Sequence, residues 1–182
     1  MVCRMMKIVE IEEHAYRHSE LPRLLEQQVL DFWRLVWADD SAGEHRFRER
    51  MHDVGDDSVH LVRSAGSLLV SHVQVIPIDL EGRDRRLQIG GISAVLTYPQ
   101  FRGEGHASAL LRRAAGHIDA TGLELGMLFC DEENVPFYAR LGWHAIERGR
   151  VVVRHDPDSE DRHMVLGDDR LIPDRLALDF SW

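Results

Sequence analysis

Arg102-Gly103-Glu104-Gly105-His106-Ala107 is the segment of this chain best suited to chemistry. Two glycines and a small alanine let a bulky anion come close to the backbone, and Arg102 adds a charge-assisted contact. Ala107, Leu110, Leu111, Ala114, Ala115 and Ile118 then recur at steps of three and four, with Arg112, Arg113 and His117 outside the stripe. That period opens an amphipathic helix at the loop. The first N–H groups of a helix have no intrahelical acceptor and sit at the positive end of its dipole, so they attract phosphate. Neither common nucleotide loop is present: Ser108 holds the third glycine position of G-x-G-x-x-G, and Gly-Lys-Ser/Thr is absent. A second candidate is Tyr138, within Asp131-Glu132-Glu133-Asn134-Val135-Pro136-Phe137-Tyr138-Ala139-Arg140-Leu141-Gly142-Trp143.

The elements that must position these groups follow from pattern. Ile92, Ala94, Val95 and Leu96 run with almost no polar alternation up to the Tyr98-Pro99-Gln100-Phe101 turn, as an inner strand of an α/β sheet does. Around Tyr138, Asn134 suits a helix cap, Pro136 the first turn and Gly142 the left-handed position beyond the end. Phe137 and Leu141 share a face there, and Tyr138 lies about 100° round from Phe137, so it can look into a cleft while its neighbour packs. Earlier in the chain, Met6 to Ile11 reads as a strand and Glu12 to His18 as an acidic, histidine-bearing turn. Leu21 to Trp37 reads as a helix with Leu24, Leu25, Val29, Leu30, Trp33 and Val36 inside, and Ser41 to Met51 as a second, more polar one. Ser58 to Val62 and Ser67 to Ile78 form a hairpin around Ser64-Ala65-Gly66, and Glu81 to Asp84 a further turn. Leu123 to Cys130, Gly142 to Arg154 and Arg162 to Leu166 each read as a strand, and the apolar tail from Leu171 to Trp182 packs on the sheet.

The chain has 182 residues, enough for one domain with a sizeable core. A net charge of −9 argues against nucleic acid and suits a cationic small substrate. Cys3 and Cys130 have no framework or metal spacing, which points to a reducing cytoplasm. No apolar run is long enough for a membrane span. His14 and His18 flank a turn beside Glu13 but lack further ligands, so no metal is expected.

The segment from Val95-Leu96-Thr97-Tyr98-Pro99 through Ala107 resembles motif A of the GCN5-related N-acetyltransferases, Arg/Gln-x-x-Gly-x-Gly/Ala, with Arg102, Gly105 and Ala107 at its defining positions. Asp131 to Trp143 resembles the family's motif B, and the two stand in the expected order, about 30 residues apart. The resemblance implies an α/β fold of order βααβββαβαββ, a mixed, mostly antiparallel central sheet flanked by helices. It implies one N-acetyltransferase domain over 1–182, with 168–182 as a tail packed on it. It also implies acetyl-coenzyme A as cosubstrate, bound by Val95, Leu96, Thr97, Arg102, Gly103, Glu104, Gly105, His106, Ala107 and Asn134. Tyr138 would protonate the departing thiolate, and a homodimer would be in keeping with the family.

The expected reaction is acetyl transfer to a primary amine of a small cationic substrate by direct attack. Its base is open: Ser93 stands where many members carry a carboxylate, and His72, His106 or a water relay are the substitutes. The chain is more loosely similar to aminoglycoside 2′-N-acetyltransferases, which makes Asp179 and the Trp182 carboxylate candidate substrate contacts. Asp39, Asp40, Glu44, Asp53, Asp56 and Asp57 are further carboxylates that could meet an amine. The alternatives are a protein or peptide N-acetyltransferase and a noncatalytic acyl-coenzyme A sensor.

Overall fold

The computed structural model describes residues 10–38, 43–49, 57–154, 156 and 159–178. Its strands are β1 (Glu12–Arg17), β2 (Val59–Ala65), β3 (Leu68–Glu81), β4 (Arg86–Thr97), β5 (Leu125–Cys130), β6 (His144–Ala145), β7 (Val151–Val153), β8 (Arg162–Gly167) and β9 (Leu176–Leu178). The helices are α1 (Arg23–Val36), α2 (His106–Thr121) and α3 (Val135–Ala139). Seven strands form one sheet in the order β1-β2-β3-β4-β5-β8-β6, while β7 and β9 make a separate parallel ribbon. Of the neighbours in the main sheet, β4 and β5 alone run parallel; the fold is mixed and mostly antiparallel, flanked by helices.

Alternation along the strands divides the core. Leu61, Val73, Val75 and Ile92 pack with Leu110, Leu111, Ala114 and Ile118 of α2 on one face. The other face of the sheet carries Val62, Leu69 and Leu96, which meet α1, and Ile76, Ile78, Leu80 and Val165, which meet the ribbon through Val151, Leu176 and Leu178; Leu69 and Leu96 reach that face because irregularities in β3 and β4 shift the alternation by one residue.

The parallel pair positions the site. β4 and β5 are in register at Gly90↔Gly126 and Gly91↔Met127, and beyond those pairs the strands part. A Cβ on Gly90 would lie 2.7 Å from Ile118 Cγ1, and one on Gly126 2.7 Å from Trp143 Cη2. Both glycines are therefore needed for the α2 and Trp143 side chains to close on the last paired rungs. Past that point β4 bulges. His72 pairs with Leu96 but Gln74 with Ser93, so Val73 opposes both Ala94 and Val95. Ala94 takes φ +46 there, a positive value found at no other non-glycine among the described residues, at a cost of about 1–2 kcal/mol.

Several expectations are corrected. Glu12 to His18 is not a turn: Glu12–Arg17 is the edge strand β1, and of the expected Met6–Ile11 strand only residues 10 and 11 are described, neither of them in a strand. An edge strand exposed along most of its length carries no apolar alternation, and its charges hold it instead, Glu13 meeting Arg63 at 2.9 Å and Arg113 at 3.0 Å. Gly142 to Arg154 is two short strands in different sheets, divided at the polar Glu147-Arg148-Gly149-Arg150 turn, where Gly149 takes φ +80. The inner stripe of α1 is Leu25, Val29, Leu30 and Phe32, whereas Leu24 and Val36 are exposed; the helix starts only after Pro22 and is rotated from the expected face. Of the helix expected over Ser41 to Met51, residues 43–49 are described, with a 3₁₀ turn over Gly43–Phe47.

Candidate active site

Where β4 and β5 part, a cavity of about 690 Å³ opens. Its walls come from Ile92–Thr97 of β4, the loop and first turn of α2 through Arg102 and Ala107, the end of β5 with Asp131, and Asn134, Phe137 and Tyr138 around α3. Phe32, Trp33, Val36 and Trp37 close it from α1, while Asp156, Ser159, Asp161 and His163 close it from the β7–β8 side.

The loop has the conformation its glycines predict. Gly103 and Gly105 both take φ +83 and would meet nothing within 4 Å if given a Cβ, so they are there for backbone conformation and open approach. The first intrahelical bond of α2 runs from Ala109 N–H to the Gly105 carbonyl at 3.0 Å. The N–H groups of His106, Ala107 and Ser108 precede it and are free of intrahelical partners. Arg102 is exposed and donates from Nε to the Thr97 carbonyl at 3.2 Å, which ties the loop back to the strand. This cradle of positive-φ glycines, helix-end N–H groups and one guanidinium fits a diphosphate.

The ten residues expected to hold a cosubstrate separate by position. Val95, Leu96, Thr97, Arg102, Ala107 and Asn134 line the cavity; Gly103, Glu104 and Gly105 lie exposed in the adjoining loop. The His106 side chain is turned away. It is 6 % exposed, accepts at Nδ1 from Arg63 Nη1 at 3.0 Å and donates from Nε2 to Glu104 at 3.1 Å. His72 also lies outside the cavity wall, fully buried in the sheet. Neither substitute base suggested by the sequence therefore faces the cavity. Ser93 does, without an ionisable group.

Tyr138 lines the cavity and is 8 % exposed. Burial, followed by the charges near Cys130 and Asp131, holds its hydroxyl well above the usual phenol range, so at neutral pH it is a proton donor. The helix that presents it is short, led in by a 3₁₀ turn over Glu132–Asn134. Asn134 occupies the N-cap position without a side-chain capping bond, which leaves its amide to the cavity. Gly142, at φ +91, ends the segment and lets Trp143 N–H return to the Tyr138 carbonyl at 3.3 Å.

Cys130, beside Tyr138, is not an activated nucleophile. Burial, with Asp131 and Asp161, pushes its thiol up to about 11 despite Arg162. Among the described lining residues, His163 is the one imidazole. Its ring packs edge-on against Phe129 at 4.9 Å, and its buried Nε2 has no hydrogen-bond partner. Burial lowers its pKa, partly against the pull of Asp161, so the ring is neutral at pH 7. His163 was not singled out from sequence; its place in the short alternating run Arg162-His163-Met164-Val165 gave no sign of which face it would take.

The walls have unequal charge. Asp131, Glu133, Asp156 and Asp161 line them, and Arg102 is the one permanent cation among the described lining residues. Among the other expected contacts, Asp57 is exposed and off the cavity wall, and Asp39, Asp40, Asp53, Asp56, Asp179 and Trp182 lie outside the described residues, as does any side-chain placement of Glu44. No group of three or more metal-ligating side chains occurs among the described residues. His14 meets Glu12 and His18 meets His60, so these two histidines are not paired.

Comparison with known proteins agrees with the fold. The family model described as acetyltransferase (GNAT) domain matches residues 20–146. The chain belongs to the GCN5-related N-acetyltransferases and is an acyl-coenzyme A-dependent acetyltransferase. No curated protein matches it at a significant level. Among solved structures, an acyl-CoA N-acyltransferase from Pseudomonas aeruginosa is 17 % identical with a TM-score of 0.63, over 87 % of this chain and 100 % of that one. YhbS from Escherichia coli, a GNAT family N-acetyltransferase solved in complex with CoA, is 18 % identical with a TM-score of 0.63, over 93 % and 88 %. Escherichia coli ElaA is 17 % identical with a TM-score of 0.60, over 86 % and 99 %. At these identities the likeness is one of fold. No helix among the described residues is long and apolar enough to cross a membrane.

Proposed function

We propose that this enzyme transfers the acetyl group of acetyl-coenzyme A to a primary amine of a small cationic substrate by direct attack. The observation that carries the reading is one cavity lined together by Arg102 and Ala107, by Tyr138, by the four carboxylates Asp131, Glu133, Asp156 and Asp161, and by the aromatic side chains Phe32, Trp33 and Trp37. Arg102 and the backbone of Gly103 to Ala107 hold the diphosphate. The backbone of Val95 to Thr97 and the Asn134 amide flank the arm that leads to the reacting carbon. The bound cosubstrate supplies an acyl group on a good leaving sulfur.

The remaining work falls to the chain. Asp131, Glu133, Asp156 and Asp161 draw in a protonated amine, and Trp33 and Trp37 offer aromatic faces and a drier surface. An amine attacks only when neutral, which at pH 7 costs about 4.6 kcal/mol for a group of pKa about 10.4. Desolvation against the aromatic wall lowers that pKa, and neutral His163 accepts the proton. Tyr138 holds its proton until the sulfur departs and then donates it. The raised pKa of the Cys130 thiol supports direct passage of the acyl group to the amine, without an enzyme-bound intermediate. A single domain over 1–182 and a cytoplasmic location go with this reading, the second supported by the lack of any cysteine framework.

Tyr138→Phe tests the mechanism. Removing the hydroxyl while keeping the ring should lower kcat about 10²- to 10⁴-fold, with little change in the KM for acetyl-coenzyme A or in thermal stability. Wild-type kcat in this variant would remove Tyr138 from the reaction.

A further inference from the structure

Three imidazoles run in line across the α1 face of the sheet. His18 Nδ1 lies 3.1 Å from His60 Nε2, His60 Nδ1 lies 2.9 Å from His72 Nε2, and His72 Nδ1 lies 2.9 Å from the Ala94 carbonyl oxygen. His60 and His72 are 0 % exposed, and His18, at the outer end, is half-buried. Successive rings are tilted, with centroids 5.3 and 5.2 Å apart, so they meet through their nitrogens and not by stacking.

The last acceptor decides where every proton sits. A carbonyl oxygen only accepts, so His72 Nδ1 carries hydrogen and, in a neutral ring, its Nε2 accepts. His60 must then donate from Nδ1 and accept at Nε2, and His18 must donate from Nδ1. The chain has one polarity, directed from the surface to β4. Burial keeps the inner rings neutral, with the His72 pKa pushed down to about 4. Because the chain ends on a carbonyl, it has no site at which to deliver a proton to the cavity, and a relay is excluded.

What it does reach is the bulge. Ala94, at φ +46, and Val95 both line the cavity. In a planar trans peptide the C=O and N–H point in opposite directions. With the Ala94 carbonyl drawn toward the His72 ring, the Val95 N–H points away from that ring. We propose that the His18–His60–His72 chain is a positioning device, with His72 as the positioning residue, that holds the Ala94–Val95 peptide in its bulged form and presents the Val95 N–H to the cavity as a fixed donor. A donor held in advance of reaction is most effective where an oxygen gains charge.

Two measurements test this, of which the second rests on the acetyltransfer reading. The first is long-range ¹H–¹⁵N correlation of the histidine rings in the wild-type protein without cosubstrate. His60 and His72 should both be the Nδ1–H tautomer, with no titration between pH 5.5 and 8. An Nε2–H tautomer at either ring, or titration of either in that range, would overturn the proposal whatever the activity. The second compares His72→Phe, which removes the donor to Ala94, with His72→Asn, which keeps an N–H near the Nδ1 position. His72→Phe should lower kcat about 10- to 100-fold with little change in acceptor KM, and His72→Asn should recover most of the loss. Equal losses in both variants, or wild-type kcat in His72→Phe, would contradict a positioning role. Lack of turnover by the wild type on any amine would instead count against the acetyltransfer reading, leaving the tautomers to decide the chain. The tautomers also decide it if His72→Phe does not fold.

Discussion

Gly126→Ala places one methyl group on one of the two rungs that pair β4 with β5. Its Cβ would sit 2.7 Å from Trp143 Cη2, 3.2 Å from Trp143 Cζ3 and 3.1 Å from Ile118 Cδ1. Carbon atoms rest at about 3.5–4.0 Å, so the indole must retreat by about 1 Å, and Trp143, 2 % exposed in the core beneath α2, has no space to do so freely. Overpacking of this kind costs about 1–3 kcal/mol, and relief of the glycine's backbone entropy returns about 0.5–1 kcal/mol. The net loss, about 1 kcal/mol at the middle of these ranges, corresponds to a Tm lower by about 2–4 °C for a chain of this size. Differential scanning calorimetry would read it. The cause is isolated by Trp143→Phe, whose smaller ring lacks the clashing atoms: the double variant should be more stable than the sum of the two single changes by about 1 kcal/mol. Additive losses would mean that the steric argument for Gly126 is wrong.

Acid should destabilise the fold through the buried imidazoles. His72 has its folded pKa near 4, and His60 is lowered further by burial and its neighbours, against 6.5 for each ring in the unfolded chain. Stability from their neutrality is therefore complete above pH 6.5 and is lost toward pH 4, by about 1.4 kcal/mol per pH unit for each ring. Urea midpoints that stay flat from pH 7 to pH 4 would refute this. Arg102→Ala should raise the KM for acetyl-coenzyme A about 10-fold, the worth of a hydrogen bond to a charged group, and leave kcat within about threefold; steady-state kinetics with varied cosubstrate checks it, and an unchanged KM would remove Arg102 from the cradle.

The β4–loop–α2 unit was readable because each step has a local cause. An unbroken apolar run marks the inner strand, Gly103 and Gly105 mark backbone that other residues strain to adopt, and the three-and-four period marks the buried side of α2. Together with the Asp131–Trp143 segment, these carried the family and the fold class. Less local features were hidden. β1 has no apolar period because, as an edge strand, it is held by Glu13 between Arg63 and Arg113, partners 50 and 100 residues away. The cavity gathers Trp33 and Trp37 from α1, Asp131 from the end of β5 and His163 from β8, and no spacing in the chain links these. In α1 the apolar pattern had two causes, a core stripe through Leu25, Val29 and Phe32 and a cavity stripe through Trp33, Val36 and Trp37, and hydropathy does not separate them. The histidine chain was equally illegible, since its three members belong to three successive segments and only the β1–β2–β3 register brings them into line.

The most direct test of the account is thiol release from acetyl-coenzyme A by the purified enzyme, measured at pH 8 with amine acceptors that carry two or more further positive charges and with neutral amines of the same size. The four-carboxylate wall predicts turnover on polycationic amines, with kcat/KM at least about 10-fold above that of the neutral set and falling as salt is raised. Equal turnover of both sets, or a preference for the neutral amines, would contradict the assignment of a cationic acceptor to this cavity.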